Sequence, residues 1–154
     1  MFLNITGGTK KERALVESIA IFSGYYLMTD KTADKLEIDI ELMGNLYKEC
    51  GNLADVVYED NNFRPKEYTL RVDKTFTLRR MLESVAHEMV HVKQYARREL
   101  HPADDVWMGK TYNPKKISYW DLPWEIEAHG REIGLFIRYC ETHKLSKYKW
   151  TQDN

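Results

Sequence analysis

The chain has 154 residues, 43% of them hydrophobic, which suits a single domain spanning residues 1–154 with a modest core. Its 23 Lys and Arg residues against 24 Asp and Glu residues leave a net charge of −1, which argues against a dedicated nucleic-acid or membrane binder. Cys50 and Cys140 are its only cysteines, too few for a disulfide scaffold. We expect a reducing cytoplasm as its location, because no segment is apolar enough for a signal peptide or a membrane span.

In chain order, the first half of the sequence predicts one helix followed by three strands. Residues 11–28 form an amphipathic pattern whose apolar side carries Leu15, Ile19, Phe22 and Tyr26. Alternation of apolar and polar residues, typical of half-buried strands, then predicts strands over residues 36–42, 53–59 and 67–73.

A long helix is predicted next, from about residue 77 to residue 100, where the chain has no Gly or Pro. Its apolar residues recur at spacings of three and four and form one stripe: Leu78, Leu82, Val85, Met89, Val92 and Ala96. His87 and His91 fall roughly opposite this stripe. Their face is therefore either open to solvent or one wall of a cleft.

This helix carries the sequence His87-Glu88-Met89-Val90-His91, an HExxH motif. Residues four apart on a helix share a face, so His87 and His91 can direct their imidazoles at one metal ion. Glu88 projects beside that ion, where it can take a proton from a zinc-bound water whose pKa is lowered to about 7. The motif thus predicts two zinc ligands and a general base, and a catalytic site needs a third ligand.

A second helix, from about Pro123 to residue 143 with Asp121 as its N-cap, supplies candidates for that ligand. Glu125 lies on the same side of this helix as Ala128, Phe136, Tyr139 and Cys140, and this side should face the interior of the protein. A carboxylate on a buried side needs a partner, and a metal ion is a suitable one.

Two other residues of this helix remain open as third ligands. Glu127 lies on the same side of the helix as Arg131, Gly134 and Arg138, a composition that indicates a solvated surface. His129 is one turn beyond Glu125, either as a ligand itself or as a group that orients Glu125. We therefore expect Glu125 to be the third ligand, with Glu127 and His129 as the alternatives.

An HExxH helix followed by a short E-x-x-A segment resembles the minimal zincin metallopeptidases with a glutamate third ligand. The likeness is closest to small SprT-like and phage-encoded metallopeptidases, and its anchors are residues 86–94 and 123–128. The chain departs from this pattern at His129, where related motifs often carry Asp or Asn, and it has no cysteine pairs for a C-terminal zinc region.

The resemblance implies an α+β, zincin-like fold: an N-terminal helix, a three-stranded sheet, the HExxH helix and a C-terminal helix with the third ligand. It also implies a zinc-dependent hydrolase that acts on a peptide or protein substrate, whose extended backbone pairs with an edge strand beside the cleft. For a phage-encoded member, the location would be the host cytoplasm.

The connection between the two helices, residues 101–122, is rich in aromatic residues and suggests a packed flap over the cleft. Tyr112, Tyr119 and Arg131 are candidates for a donor to the oxyanion that forms when hydroxide attacks a carbonyl. The sequence does not distinguish among these three.

Other classes of function remain as alternatives. In the first, zinc pins the two helices together in a non-catalytic interaction module. In the second, a SprT-like protease acts on DNA-associated proteins. In the third, a DNA-binding protein carries an incidental zinc site, a reading that requires a basic patch. Interleaved lysines and aromatics near the C-terminus are typical of single-strand nucleic-acid binders, but we interpret them first as a solvated tail.

Overall fold

The computed structural model describes residues 1–101 and 105–152, which form an α+β fold around a mixed β-sheet. The strands of this sheet are β1 (Phe2–Gly7), β2 (Glu37–Met43), β3 (Ala54–Tyr58) and β4 (Glu67–Asp73). They lie in the order β1-β2-β4-β3, with β1, β2 and β4 parallel. Strand β3 runs antiparallel to β4 and forms one edge of the sheet.

The helices in chain order are α1 (Lys10–Leu27), α2 (Asp30–Ala33), α3 (Leu46–Cys50), α4 (Leu78–Ala96) and α5 (Pro123–Thr142). A small antiparallel sheet lies between α4 and α5 in the chain and consists of β5 (Leu100–His101), β6 (Val106–Trp107) and β7 (Lys110–Thr111). Short 3₁₀ turns follow at Tyr119–Asp121 and Lys149–Thr151. Among the described helices, none is long and apolar enough to cross a membrane.

Alternation along β2 and β4 gives the main sheet one buried face. In register, Ile38, Ile40 and Leu42 lie beside Tyr68, Leu70 and Val72, and all six are buried. The acidic residues between them on β2 point to the other, exposed face. Helices α1 and α4 belong to the same buried core as these strands, so the apolar face of the sheet is covered by helices.

Helix α4 lies in the interior, between the sheet and α5. Every residue from Met81 to Gln94 is buried, so the side opposite the apolar stripe is covered as well. Thr77 caps the helix by accepting a hydrogen bond from the backbone N–H of Arg80 at 3.3 Å. The HExxH residues therefore lie in a partly enclosed site and not on an open surface.

The predicted helices and strands are confirmed in kind and order, but the expected three-stranded sheet is incomplete. Strand β1 was missed because only Leu3 and Ile5 of this short segment face inward, and because its partner β2 lies some 35 residues away. Helix α4 also ends four residues earlier than expected, at Ala96, shortly before Arg98 adopts a positive φ of 58°.

One local prediction is partly wrong and another is wrong. On α1, Ile19 is buried and Leu15 and Phe22 pack against the core as expected, whereas Tyr26 is 51% exposed. The buried residues of this helix are Val16, Ile19, Ala20, Ser23, Gly24 and Leu27. A methyl group on Gly24 would lie 2.2 Å from the end of the Met1 side chain and 3.4 Å from that of Met89, so this position leaves little room for a side chain. Asp121 is not the N-cap of α5, because it ends the preceding 3₁₀ turn; Leu122 occupies the cap position and makes no side-chain cap.

Candidate metal centre

Three side-chain atoms from α4 and α5 converge at one point of the structure. Nε2 of His87 lies 3.2 Å from Nε2 of His91, and Oε2 of Glu125 lies 3.5 Å from each of these nitrogens. All three residues are buried. The i, i+4 spacing on α4 places the two imidazoles together, and the first turn of α5 brings the carboxylate to them.

This triangle of atoms matches the ligand spacing of a zinc ion. Zinc bonds to imidazole nitrogen or carboxylate oxygen are about 2.0–2.2 Å long, which places tetrahedral ligands about 3.3–3.6 Å apart. Two imidazoles and one carboxylate are also a donor set that zinc prefers, and three protein ligands leave a fourth position open. The residues present therefore fit the expected metal.

The second ring nitrogen of His87 is held by a carboxylate. Nδ1–H of His87 donates to Oε2 of Glu132 at 2.7 Å, which leaves Nε2 facing His91 and Glu125. Glu132 also lies 3.3 Å from Nδ1 of His129 and 3.8 Å from the guanidinium of Arg80. Such a carboxylate fixes the tautomer and the orientation of a metal-binding imidazole.

An amide does the same for His91. Nδ1–H of His91 donates to Oε1 of Gln94 at 2.8 Å. The amide nitrogen of Gln94 in turn donates to the carbonyl of Trp124 at 2.9 Å and to Glu127 at 3.0 Å. Gln94 thus links the orientation of His91 to the start of α5, immediately before Glu125.

The two alternative third ligands have other partners. Glu127 accepts hydrogen bonds from Lys93 at 2.6 Å and from Arg131 at 3.1 Å, on the far side of Gln94 from the cluster. His129 forms a second group of possible metal-binding atoms with His87 and Glu132. That group surrounds Nδ1 of His87, which already donates to Glu132, so His129 fits the surroundings of the centre better than its ligand set.

The electrostatics of the cluster depend on its concentrated negative charge. Burial alone would lower the pKa of His87, but hydrogen bonds to Glu125 and Glu132 outweigh it and raise the pKa to about 9. Burial likewise would raise the pKa of Glu125, yet the two imidazoles hold that pKa well below its ordinary value. The carboxylates therefore require positive charge between them, which either protons or a metal cation can supply.

Glu88 is the acidic residue of the HExxH motif, and its carboxyl is not held by a fixed partner among the described residues. Its carboxyl is buried, and no described residue donates a hydrogen bond to it. Burial raises the pKa of Glu88, and the nearby imidazoles of His91 and His87 oppose that rise. A buried carboxyl with free acceptor atoms is suited to gaining and releasing a proton.

A cleft of about 430 Å³ opens onto the centre, and both His87 and Glu88 line it. Residues 51–53, which join α3 to β3, also line it, as does Ala54. Because Ala54 is the first residue of β3, the edge strand of the main sheet begins at the cleft. Trp120, 68% exposed, lies at its rim.

Of the three candidate oxyanion donors, only Tyr119 lies at the centre. Its hydroxyl donates to Oε2 of Glu125 at 2.7 Å and lies 3.1 Å from Nε2 of His129. Tyr112 instead packs edge-on against Trp124, with ring centroids 5.9 Å apart. Arg131 pairs with Glu127 on the outer side of α5.

Glu132 and Gln94 had no role assigned from the sequence. Glu132 lies seven residues after Glu125 and therefore on the same side of α5, and this spacing is the signal that could have revealed it. Gln94 is three residues after His91, close enough on a helix to reach its ring.

Comparison with protein-family models, with curated proteins and with solved structures finds no match. The functional interpretation therefore depends on the geometry of this centre and on the motif that forms it.

Proposed function

We propose that the protein is a zinc-dependent metallopeptidase of the minimal zincin type. The observation that carries the proposal is the convergence of His87, His91 and Glu125 at a cleft, beside Glu88, whose carboxyl accepts no hydrogen bond from the described residues. The chain's resemblance to small SprT-like and phage-encoded metallopeptidases points the same way.

The metal would be held by Nε2 of His87, Nε2 of His91 and the carboxylate of Glu125. When bound, zinc would supply Lewis acidity, which activates water and polarises a substrate carbonyl. Glu132 and Gln94 hold the two imidazoles in the orientation that this binding needs.

Glu88 acts as the general base and then as the general acid. Its carboxylate takes a proton from the attacking water and delivers it to the leaving nitrogen of the peptide bond. The burial that raises its pKa brings that pKa closer to the pH at which a group can both accept and donate a proton. Tyr119 is the proposed donor to the oxygen that becomes negative during the attack, a role in which its hydroxyl turns from Glu125 to that oxygen.

The cleft and the edge strand together suit an extended peptide. Among described strands, β3 pairs only with β4, so its other side offers backbone N–H and C=O groups next to the cleft. A substrate that adds as a further strand is recognised through its main chain, which tolerates many sequences. Two free cysteines, Cys50 and Cys140, are in keeping with the proposed cytoplasmic location.

A purely structural zinc site is the main competing function. Structural sites usually have four protein ligands and no open position. The three convergent ligands, the free Glu88 carboxyl and the cleft instead favour catalysis.

Zinc stoichiometry tests the metal centre. Elemental analysis should find about one zinc per chain in the wild type, with marked loss in Glu125→Ala and retention in Glu127→Ala. Glu127→Ala is the matched control because it removes the same group two residues away. Zinc that persists in Glu125→Ala would move the third ligand elsewhere, and a wild type that binds no zinc after reconstitution would exclude the proposal.

Peptidase activity tests the chemistry separately. Wild type and Glu88→Gln, both loaded with zinc, should be incubated with a diverse peptide mixture and the products identified by mass spectrometry. We expect new termini with the wild type only, since Gln cannot shuttle the proton. Equal zinc-dependent cleavage by both proteins would exclude the mechanism, and zinc binding without any cleavage would favour the structural role.

A further inference from the structure

A second surface feature, separate from the metal centre, is a groove lined by cations. Two neighbouring cavities of about 280 and 270 Å³ share Thr32, Arg64 and Ala96 as lining residues and so form one continuous groove. No residue that lines this groove also lines the metal cleft.

Three separate segments contribute cations to this groove. Lys31 and Lys35 come from α2 and the residues after it, Arg64 and Lys66 from the loop before β4, and Arg97 from the end of α4. In the part of the chain that the structure describes, the side chains of the first four form no ion pair, whereas Arg97 lies 3.1 Å from Glu99. A chain with a net charge of −1 thus concentrates unneutralised positive charge here.

Two acidic groups near the groove cations in sequence have other hydrogen-bond partners. Asp34 accepts a hydrogen bond from the hydroxyl of Tyr25 at 2.5 Å. Asp60 accepts from the backbone N–H groups of Lys66 and Glu67, at 2.8 and 3.1 Å. Neither carboxylate pairs with the cations, which leaves them available to an external anion.

An apolar platform adjoins the groove at Pro65, which lines both the groove and a smaller neighbouring cavity. The ring of Phe63 is 67% exposed, and the guanidinium of Arg98 lies 3.4 Å from its centroid. One face of the ring is therefore covered by a cation and the other is open to an apolar group.

We propose that this groove binds a short acidic segment of a partner protein, with carboxylates on the lysines and arginines and an apolar side chain on Phe63. A short segment suits the surroundings better than a long polyanion does. Exposed Glu37 and Glu67 lie opposite each other in the register of β2 and β4, directly after groove residues Leu36 and Lys66. A continuous phosphate backbone would meet this negative charge where it leaves the groove.

Fluorescence anisotropy with a labelled peptide of alternating glutamate and leucine tests the proposal. The matched glutamine–leucine peptide controls for apolar contacts alone. We expect saturable, salt-sensitive binding of the acidic peptide, weakened about tenfold or more by the double variant Arg64→Glu/Lys66→Glu. The control Lys10→Glu/Lys11→Glu makes the same charge change on α1, away from the groove, and should bind as the wild type does.

Phe63→Ala tests the platform without changing the charge, and should weaken the acidic peptide severalfold. Circular dichroism should show that all variants keep the wild-type fold. Equal binding by the groove and control variants, or no binding by the wild type, would overturn the proposal. Tighter binding of a single-stranded oligonucleotide at the same residues would also overturn it, and would assign the groove to nucleic acid. None of these measurements needs zinc, so the groove and the metallopeptidase proposal stand or fall separately.

Discussion

Oε2 of Glu132 accepts a hydrogen bond from Nδ1 of His87 at 2.7 Å across the interface between α4 and α5. This contact joins residues 45 apart in the chain. It determines which nitrogen of His87 faces the centre, and so it connects the packing of the two helices to the orientation of the proposed ligand.

The first prediction concerns this contact. Replacing Glu132 by Gln removes the negative charge beside His87 while keeping the size of the side chain. We expect zinc affinity to fall about 10- to 100-fold, because the imidazole becomes less basic and less firmly oriented. Competition with a chromophoric chelator measures this affinity. Glu127→Gln is the control, and an affinity of Glu132→Gln equal to that of the wild type would show that Glu132 does not support the metal site.

The part of the site that the sequence predicts is the part that depends on local spacing. His87, Glu88 and His91 are brought together by one helix, and the side of α5 that carries Glu125 follows from its apolar neighbours. The contact of His87 with Glu132 depends on how α5 lies against α4, which no local pattern specifies. The spacing from Glu125 places Glu132 on the same side of α5, but only the structure shows which imidazole it holds.

The same difference between local patterns and tertiary contacts explains where the predicted fold differs from the structure. Strands β2 and β4 alternate clearly, so they were found, whereas β1 depends on pairing with a distant strand. On α1, the bulky Tyr26 favoured a different buried side, because the buried residues of this helix include the small Ala20, Ser23 and Gly24. Close helix packing favours small residues, which contribute little to an apolar pattern.

The second prediction separates the two tyrosines. Tyr119→Phe removes a hydroxyl that lies 2.7 Å from Glu125, whereas Tyr112→Phe removes one from a ring packed on Trp124. If Tyr119 stabilises the oxyanion, kcat should fall about 100-fold with little change in KM or zinc content. Tyr112→Phe should retain wild-type kinetics. Loss of zinc from Tyr119→Phe would mean that Tyr119 supports Glu125 as a ligand and does not act on the oxyanion. Unchanged turnover would mean that Tyr119 has no role in the reaction.

The third prediction concerns the cleft wall and pH. Asp73 accepts hydrogen bonds from the backbone N–H groups of Tyr47 and Thr75, both at 2.8 Å, and so fixes α3 beside the end of β4. Burial alone would raise the pKa of Asp73, but these bonds and the hydroxyl of Thr75 outweigh it and lower the pKa. Its stabilisation is therefore complete above the unfolded-state pKa of about 3.9, and is lost as pH falls through the lower folded-state pKa.

We expect Asp73→Ala to lower the free energy of unfolding by about 1–3 kcal/mol at neutral pH, and by less at about pH 2. Urea unfolding of both proteins at the two pH values measures the difference. Asp39→Ala is the control, since Asp39 is exposed and, among the described residues, its side chain accepts a hydrogen bond only from Asn4, at 2.9 Å. A difference that does not shrink in acid would mean that Asp73 acts through its shape and not through its charge.

The last prediction addresses the distance between the two helices of the centre. Ala128 is fully buried on the side of α5 that also carries Glu125 and Glu132. A leucine at this position would be overpacked, so we expect Ala128→Leu to lower the free energy of unfolding by about 1–3 kcal/mol. It should also weaken zinc binding, because α5 must move and take Glu125 away from His87 and His91.

Gly130→Ala serves as the control on the same helix. A methyl group there meets no atom within 4 Å, so this change should raise the free energy of unfolding by up to about 1 kcal/mol and leave zinc affinity unchanged. Thermal unfolding with and without zinc measures both effects. If Ala128→Leu lost stability yet bound zinc as the wild type does, the position of Glu125 would not depend on close packing of α5 against α4. The three proposed ligands would then tolerate a shift of α5 that their buried arrangement argues against.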